Sequence, residues 1–196
     1  MKIEVNVPDG VSGKWSVSTF TVEKEELSQM LSMMKYGRGV PAGTYKRLMR
    51  GGATIMSNTP DEISDFLGFL YKAKGSILIN GLGLGVTLKA LAEKPEVTDI
   101  TVIENSEDVI KLVAPYYTDP KITIIQADAF TWNPPKGKIY DCVWHDIWDN
   151  ICADNLPEMT KLHRKYARRS KYQESWCKYR CLRQKRESDR YMKYWR

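Results

Sequence analysis

The sequence predicts an α/β protein built on a mostly parallel sheet. Between residues 76 and 146, short apolar runs alternate with segments of helical periodicity, and the connections are short. This order implies right-handed crossovers, and strands with almost no polar positions suit a sheet buried on both faces. We expect a Rossmann-like sheet of four strands, with strands at 76–80, 98–104, 121–127 and 139–146 and helices at 86–93 and 107–117.

The segments before this core predict a small N-terminal unit. Residues 3–7 and 15–22 alternate apolar and polar positions, which favours a β-hairpin, and 25–36 has helical spacing with a Met-rich stripe that favours core packing. A short strand is expected at 53–57. A helix should then run to about residue 72, because Thr59, Pro60 and Glu62 form a typical helix start.

Strand signals stop after Asp149, and 156–190 is predicted to form one or two long helices. The sheet should therefore end after its fourth strand. The expected organisation is an N-terminal β-hairpin and helix (1–52), a Rossmann-like core (53–155) and a C-terminal tail of basic helices (156–196).

Composition limits the classes of protein. Of 196 residues, 42% are hydrophobic and 28% charged, as in ordinary globular proteins. We expect no transmembrane helix, because no run of about 18 apolar residues exists, and no secretory signal at the start. Four cysteines are too few for a disulfide framework, and Cys177 with Cys181 does not complete a zinc set. The prediction is a cytoplasmic protein with reduced thiols and no metal.

The charge is unevenly distributed along the chain. Residues 157–196 carry a net charge of +10 and residues 1–156 a net charge of −4. A basic tail that also contains aromatic residues suits a nucleic-acid partner, through phosphate contacts and base stacking. The alternative is that the aromatics pack on the sheet. The aromatic residues in question are Tyr166, Tyr172, Trp176, Tyr179, Tyr191, Tyr194 and Trp195.

A glycine motif follows the first core strand. It reads Asn80-Gly81-Leu82-Gly83-Leu84-Gly85 and lies between a predicted strand and a predicted helix. Glycines allow the backbone to approach a ligand closely, and amides at a helix start offer donors. The spacing is G-x-G-x-G, which differs from the dinucleotide motif. The alternative is a tight turn without a ligand.

Acidic residues end the next two strands. Glu104 lies 19 residues after Gly85, where a carboxylate can accept both ribose hydroxyls, or it merely precedes a helix cap. Asp128, followed by Ala129, could accept from the exocyclic amine of an adenine, or cap a helix. Because these residues follow successive parallel strands, we expect a nucleoside site along the carboxyl edge of the sheet.

The fourth strand leads into His145-Asp146-Ile147-Trp148-Asp149. A carboxylate can take a proton from an amine acceptor and attract a cationic one, so Asp146 and Asp149 are candidate catalytic residues. His145 is a third candidate, since imidazole titrates near neutrality. The alternatives are that His145 is a hydrogen-bonded sheet residue and that Asp149 caps the next helix.

The order of these motifs along the chain resembles that of the class I S-adenosylmethionine-dependent methyltransferase superfamily, over about residues 53–150. The residues that carry the resemblance are 81–85, Glu104, Asp128 and 140–146. Three features resemble the spermidine-synthase-like branch of this superfamily. They are the segments 99–110 and 118–130 and the spacing Asp146-x-x-Asp149. The chain departs from the family at Ile79, where most methyltransferases have an acid. It departs from the branch at 51–62, which lacks a glutamine.

The resemblance implies an S-adenosylmethionine site. Gly81, Gly83 and Gly85 would lie beneath the amino-acid part, Glu104 would hold the ribose, Asp128 and Ala129 would face the adenine, and Asp146 would lie near the sulfonium. The implied function is methyl transfer to an unknown acceptor, for which an amine is one candidate. Two alternatives remain. One is a spermidine-synthase-like aminopropyltransferase using decarboxylated S-adenosylmethionine, and the other is a non-catalytic cofactor- or nucleic-acid-binding protein.

Overall fold

The computed structural model describes residues 2–23 and 39–194, and it contains two sheets. The first is antiparallel, with the order β1-β2-β3-β4. The predicted helix at 25–36 and Trp195 lie outside the described residues. The four strands of the antiparallel sheet are β1 (Gly10–Ser12), β2 (Trp15–Val22), β3 (Gly43–Arg50) and β4 (Ala53–Ser57).

The second sheet has five parallel strands in the order β7-β6-β5-β8-β9. From β5, the next two strands in sequence, β6 and β7, lie on one side, and the last two, β8 and β9, lie on the other. The strand order therefore reverses between β5 and β8, which are neighbours. Ligands of open α/β sheets bind at this point, outside the carboxyl ends of the strands. The strands are β5 (Gly75–Asn80), β6 (Val97–Glu104), β7 (Ile122–Gln126), β8 (Tyr140–His145) and β9 (Ser170–Ser175).

Five helices complete the described chain, with short 3-10 turns at Ala114–Tyr116 and Ala153–Asn155. No helix in the described part of the chain is both long and apolar enough to cross a bilayer. The helices are α1 (Pro60–Lys72), α2 (Val86–Ala92), α3 (Glu107–Val113), α4 (Leu156–Tyr166) and α5 (Lys178–Tyr194).

The parallel sheet separates two apolar layers. Ile77 and Ile79 of β5 belong to one buried cluster and Leu78 to the other, as the period of two in a strand requires. Trp144 of β8 packs against Phe69 of α1 with ring centroids 4.9 Å apart. Each such fully buried side chain contributes roughly 1.5–3 kcal/mol of hydrophobic stabilisation.

The α/β fold class and the mostly parallel sheet are confirmed, but the sheet does not end after its fourth strand. β9 pairs in parallel with β8, within a segment expected to be helical. Its sequence, Ser-Lys-Tyr-Gln-Glu-Ser, lacks an apolar run because β9 is an edge strand, where polar residues protect the open edge. Of the predicted tail, α4 and α5 are helical.

The N-terminal unit is larger than a hairpin. The alternating residues Ile3, Val5 and Val7 are buried but lie outside the assigned strands, while β3 adds a long strand beside β2. Helix α1 begins at Pro60 as predicted, although the Thr59 side chain makes no capping hydrogen bond. The Glu62 carboxylate instead accepts the backbone N–H of Ser57.

Candidate active site

A cavity of about 500 Å³ lies at the carboxyl edge of the parallel sheet. Its lining includes residues that follow β5, β6, β7 and β8, so one space joins the ends of four neighbouring strands. Strands β2–β4 supply a further wall that includes Trp15, Arg50 and Met56. The sequence-predicted site residues that line this cavity are Gly81, Gly83, Glu104, Asp128, Ala129, Asp146 and Asp149.

The three glycines of the loop after β5 adopt left-handed backbone conformations, with φ angles of 100°, 52° and 79° at Gly81, Gly83 and Gly85. A Cβ at Gly81 would collide with the carbonyl oxygen of Asp146, and one at Gly85 with the ring of Tyr117. The glycines are therefore required by the packing of the protein itself. Gly85, which precedes α2, does not line the cavity.

Met56 of β4 covers the glycine loop and was not anticipated from sequence. Its sulfur would lie 2.6 Å from a Cβ at Gly83 and is within 3.3 Å of the backbone nitrogen of Leu84, which donates to it. Methionine has a flexible side chain that adapts to irregular spaces. The thioether thus forms an adjustable wall over the loop.

Glu104 connects the loop after β5 to the loop after β6. Its Oε2 accepts the backbone N–H of Leu82 and its Oε1 accepts that of Ser106, both at 2.8 Å. An ionised carboxylate offers about four acceptor positions. Two positions therefore remain for hydroxyl groups of a ligand in the cavity.

Asp128 and Ala129 line the cavity beyond β7. Asp128 Oδ1 accepts the backbone N–H of Phe130 at 2.7 Å, so one oxygen stabilises a turn, and the alternative of helix capping is wrong because the described residues between β7 and β8 contain no helix. The hydroxyl of Tyr166 donates to the carbonyl oxygen of Ala129 at 3.1 Å, which joins this turn to α4.

Two carboxyl groups that line the cavity, Asp146 and Glu62, have raised pKa values. Burial raises the pKa of Asp146 to about 7, and repulsion from the charge of Glu62 adds to the increase. A weak hydrogen bond from Trp144 Nε1, at 3.4 Å, opposes it and lowers the pKa. Burial also raises the pKa of Glu62 to about 7, and the nearby charges of Asp65 and Asp61 add to the shift. Each group can therefore accept or release a proton near neutral pH.

Glu62 was not anticipated as a site residue. Its only sequence signal is the Asp61-Glu62 pair at the start of α1, which also fits simple helix capping. The raised pKa depends on tertiary burial, because α1 turns this side chain toward the carboxyl ends of the strands rather than into solvent.

Asp149 pairs with Arg50 of β3, 99 residues away in sequence. The Arg50 guanidinium lies 5.2 Å from the ring centroid of Trp15, so it bridges the antiparallel sheet and the loop after β8. Asp149 does not cap the next helix, because α4 begins at Leu156.

His145 does not reach the cavity, and its expected role as a base is corrected. The ring is fully buried, its Nδ1 lies 2.7 Å from Asn80 Nδ2, and its Nε2 lies 3.2 Å from Gln173 Oε1. Burial lowers its pKa to about 3, so the ring stays neutral. The observed arrangement is the alternative of a hydrogen-bonded sheet residue, and it joins β5, β8 and β9.

A second cavity of about 440 Å³ adjoins the first. Asp61 and Asp65 of α1 and Phe20 of β2 line it, so one wall is acidic and another aromatic. Within the described chain, no group of three His, Cys, Asp or Glu side chains is arranged to hold a metal ion. The residues shared by the two cavities are Ile55, Glu62, Asp149 and Trp176.

Solved structures resemble this chain at low sequence identity. Spermidine synthase from Thermotoga maritima has a TM-score of 0.50 and 16% identity, and the match covers 87% of this chain and 53% of that one. The plantazolicin methyltransferase BpumL in complex with SAH has a TM-score of 0.40 and 21% identity, with coverage of 56% and 41%. N-methyltransferase NodS from Bradyrhizobium japonicum has a TM-score of 0.40 and 14% identity, with coverage of 51% and 54%.

The chain therefore spans about half the length of these structures. The likeness to the spermidine synthase structure, at a TM-score of 0.50 and 16% identity, shows a shared fold alone. No protein-family model matches the sequence, and no curated protein matches it.

Proposed function

We propose that this chain is an S-adenosylmethionine-dependent methyltransferase whose acceptor is an amine. One observation carries the proposal: a single cavity at the ends of four parallel strands has Glu104 on one side and two carboxyl groups of raised pKa, Asp146 and Glu62, on another. That arrangement offers a place for a nucleoside and, beside it, groups that can take a proton.

The residues of the cavity fit the cofactor. A volume of about 500 Å³ is within the range of small-molecule sites. Glu104 would hold the ribose hydroxyls with its remaining acceptor positions, and Asp128 with Ala129 would face the adenine. Backbone of Gly81 and Gly83 would lie along the amino-acid part, while Gly85 would act only through the shape of the loop.

The acceptor would approach from the side of Asp146 and Asp149. When bound, the cofactor would supply a methyl group activated by attachment to a positively charged sulfur. The amine must lose a proton to free its lone pair, and Asp146 is suited to take that proton because its pKa lies near neutrality. Asp146 would hold that proton at the cavity wall while the deprotonated amine accepts the methyl group.

Aminopropyl transfer from decarboxylated S-adenosylmethionine is the second candidate. The adjoining cavity favours it, because acids outnumber bases in its described lining, and this excess would attract an acceptor with more than one positive charge. The lining acids are Asp61, Glu62, Asp65 and Asp149, against Arg47. The same carboxylates would serve a simple amine, so the two candidates differ in the cofactor and not in the base.

Calorimetric titration with S-adenosylmethionine, its decarboxylated form and S-adenosylhomocysteine tests these proposals. Tighter binding of the carboxylated cofactor supports methyl transfer, and tighter binding of the decarboxylated form supports aminopropyl transfer. A folded protein that binds none of the three would overturn both.

Turnover provides the second part of the test. The wild-type chain is incubated with methyl-labelled cofactor and a set of mono- and diamines, beside Asp146→Asn and the control Asp154→Asn, an exposed charge outside the cavity. We expect Asp146→Asn to keep cofactor affinity within about threefold and to lose turnover by 100-fold or more, the scale of a lost general base. Equal turnover by Asp146→Asn would assign the base elsewhere.

A further inference from the structure

The described contacts join helix α5 to the body of the protein only through its first two turns. Cys181 is fully buried, Arg180 lies 3.9 Å from Asp65, and Gln184 Oε1 accepts the backbone N–H of Ala153 at 2.7 Å. In contrast, every residue from 182 to 193 is exposed. The aromatic tail residues Tyr166, Tyr172 and Trp176 pack into the body, as the packing alternative expects, but Tyr179 is 64% exposed and Tyr191 71% exposed.

The exposed helix has an excess of positive charge. A helix that is polar on all sides and unsupported by packing gains little from burial. Its composition therefore points to a partner of opposite charge. The basic residues of 178–193 are Lys178, Arg180, Arg183, Lys185, Arg186, Arg190 and Lys193, against the acids Glu187 and Asp189.

Four of the basic residues form a stripe, which we define as Arg183, Arg186, Arg190 and Lys193. They are spaced three, four and three residues apart, so at about 3.6 residues per turn they share one face over about 15 Å. Tyr179 lies four residues before Arg183 and extends the same face. The acids flank it, and Glu187 pairs with Arg183 at 3.7 Å.

We propose that this basic stripe binds the phosphate backbone of single-stranded RNA. Charge complementarity supports a nucleic-acid partner, since one strand carries a regular line of phosphates. A helix inside a duplex groove faces phosphates on both flanks, and Glu187 and Asp189 would then meet them. A single strand lying along the stripe avoids this conflict.

The flanking acids also favour RNA over DNA. The 2′-hydroxyl can donate a hydrogen bond, and it is the group by which proteins distinguish RNA. Carboxylates beside the stripe can accept from it, whereas DNA gains nothing there to offset their repulsion. The proposal does not depend on the activity of the cavity.

The test measures fluorescence anisotropy of a labelled oligouridine RNA, about 12 nucleotides long, with the full chain over a salt series. Four phosphate contacts predict a slope of about −3 for log affinity against log salt. The triple variant Arg183→Gln/Arg186→Gln/Arg190→Gln should bind at least about tenfold more weakly, with a slope near −1. Circular dichroism and thermal melting of the body should not change, because these side chains are exposed.

A matched control removes the same charge elsewhere. Lys14→Gln/Lys74→Gln/Lys136→Gln also lowers the net charge by three, at exposed sites outside α5, and should bind within about twofold of wild type. An equal loss of affinity in the control would overturn the proposal, because net charge alone would then explain binding.

Other partners are separated by further measurements. Equal affinity for oligodeoxythymidine, or tighter binding of duplex RNA, would overturn the assignment to single-stranded RNA. If the wild-type chain sediments as a dimer and the triple variant as a monomer, α5 would bind a second copy of the chain and the RNA proposal would be overturned. Binding to anionic phosphatidylserine vesicles without RNA binding would assign it to a membrane surface. Absence of RNA binding by the wild-type chain would also overturn it.

Discussion

Arg50 and Asp149 form an ion pair that joins the antiparallel sheet to the loop after β8 at the wall of the cavity. Their side chains are 46% and 39% exposed, so the pair is expected to contribute little to stability, roughly 0–1 kcal/mol. Its importance is in recognition. Any acceptor that uses Asp149 must compete with Arg50, and any ligand carboxylate can take Arg50 from Asp149.

Arg50 is the one cationic side chain that lines the larger cavity among the described residues. We predict that Arg50→Gln weakens binding of S-adenosylmethionine about tenfold but changes binding of its decarboxylated form by less than threefold, because only the former has a carboxylate to pair. Calorimetry on both ligands measures the ratio. Arg168→Gln, an exposed site, is the control; equal losses for both ligands would contradict a carboxylate contact.

Glu104 is predicted to affect both stability and ligand binding. Glu104→Ala leaves the N–H groups of Leu82 and Ser106 without their acceptor, which should cost about 1–3 kcal/mol in the free energy of unfolding. The variant should also bind S-adenosylhomocysteine at least tenfold more weakly. Urea denaturation and calorimetry test the two effects, with Glu107→Ala, an exposed acid on α3, as the control. An unchanged dissociation constant would refute the ribose role.

Asp146 should make the protein less stable as pH rises. Its pKa is about 7 in the folded state and about 4 when unfolded, so between these values only the folded state holds the proton. Stability from this group is full below about pH 4, falls with rising pH, and levels off above about pH 7. We predict that Asp146→Asn is more stable than wild type by up to about 4 kcal/mol at pH 8, since each of about three pKa units corresponds to about 1.4 kcal/mol, and that the difference vanishes near pH 4.

Urea denaturation across this range measures the difference between Asp146→Asn and wild type, which isolates this group from other titrating residues. Asp154→Asn should follow wild type at every pH, since Asp154 is exposed. A constant difference between Asp146→Asn and wild type from pH 4 to 8 would contradict a raised pKa.

The two histidines act in the opposite direction. Burial lowers the pKa of His145 to about 3 and that of His163 to about 4, while an unfolded histidine titrates near 6.5. Their contribution to stability is full above about pH 6.5 and is lost as pH falls toward the folded values. Ring nitrogen chemical shifts between pH 7 and 5 should stay those of neutral imidazole, with His163→Gln providing the assignment. A ring that gains a proton near pH 6.5 in the folded protein would contradict burial as the cause.

The parallel strands could be predicted because strands buried on both faces consist of short runs of apolar residues, which are visible in the sequence. The ends of β5, β6 and β8 coincide with or lie within one residue of the predicted ends, and Glu104 and Asp146 lie where the pattern placed them. β9 was missed for the reverse reason. An edge strand is half exposed, so its sequence has no apolar signature that separates it from a polar helix.

The rest of the cavity could not be predicted because it depends on contacts between distant segments. Trp15 and Met56 lie in segments predicted to be strands, whereas Arg50 lies in β3, which was not predicted. Nothing local indicates that any of the three faces the ends of the parallel strands. His145 illustrates the opposite limit. The sequence indicated an imidazole that could transfer protons near neutral pH. Its burial between β5 and β9 keeps the ring neutral and away from the cavity.

The cavity is enclosed by two different parts of the chain, the carboxyl ends of the parallel strands and the antiparallel sheet. Under the proposed function, the residues that take the proton and those that select the acceptor would lie on different segments. If the proposed function is tested by replacing β2–β4 while the strand ends are kept, the set of molecules that bind in the cavity should change, while the strand-end carboxylates stay in place.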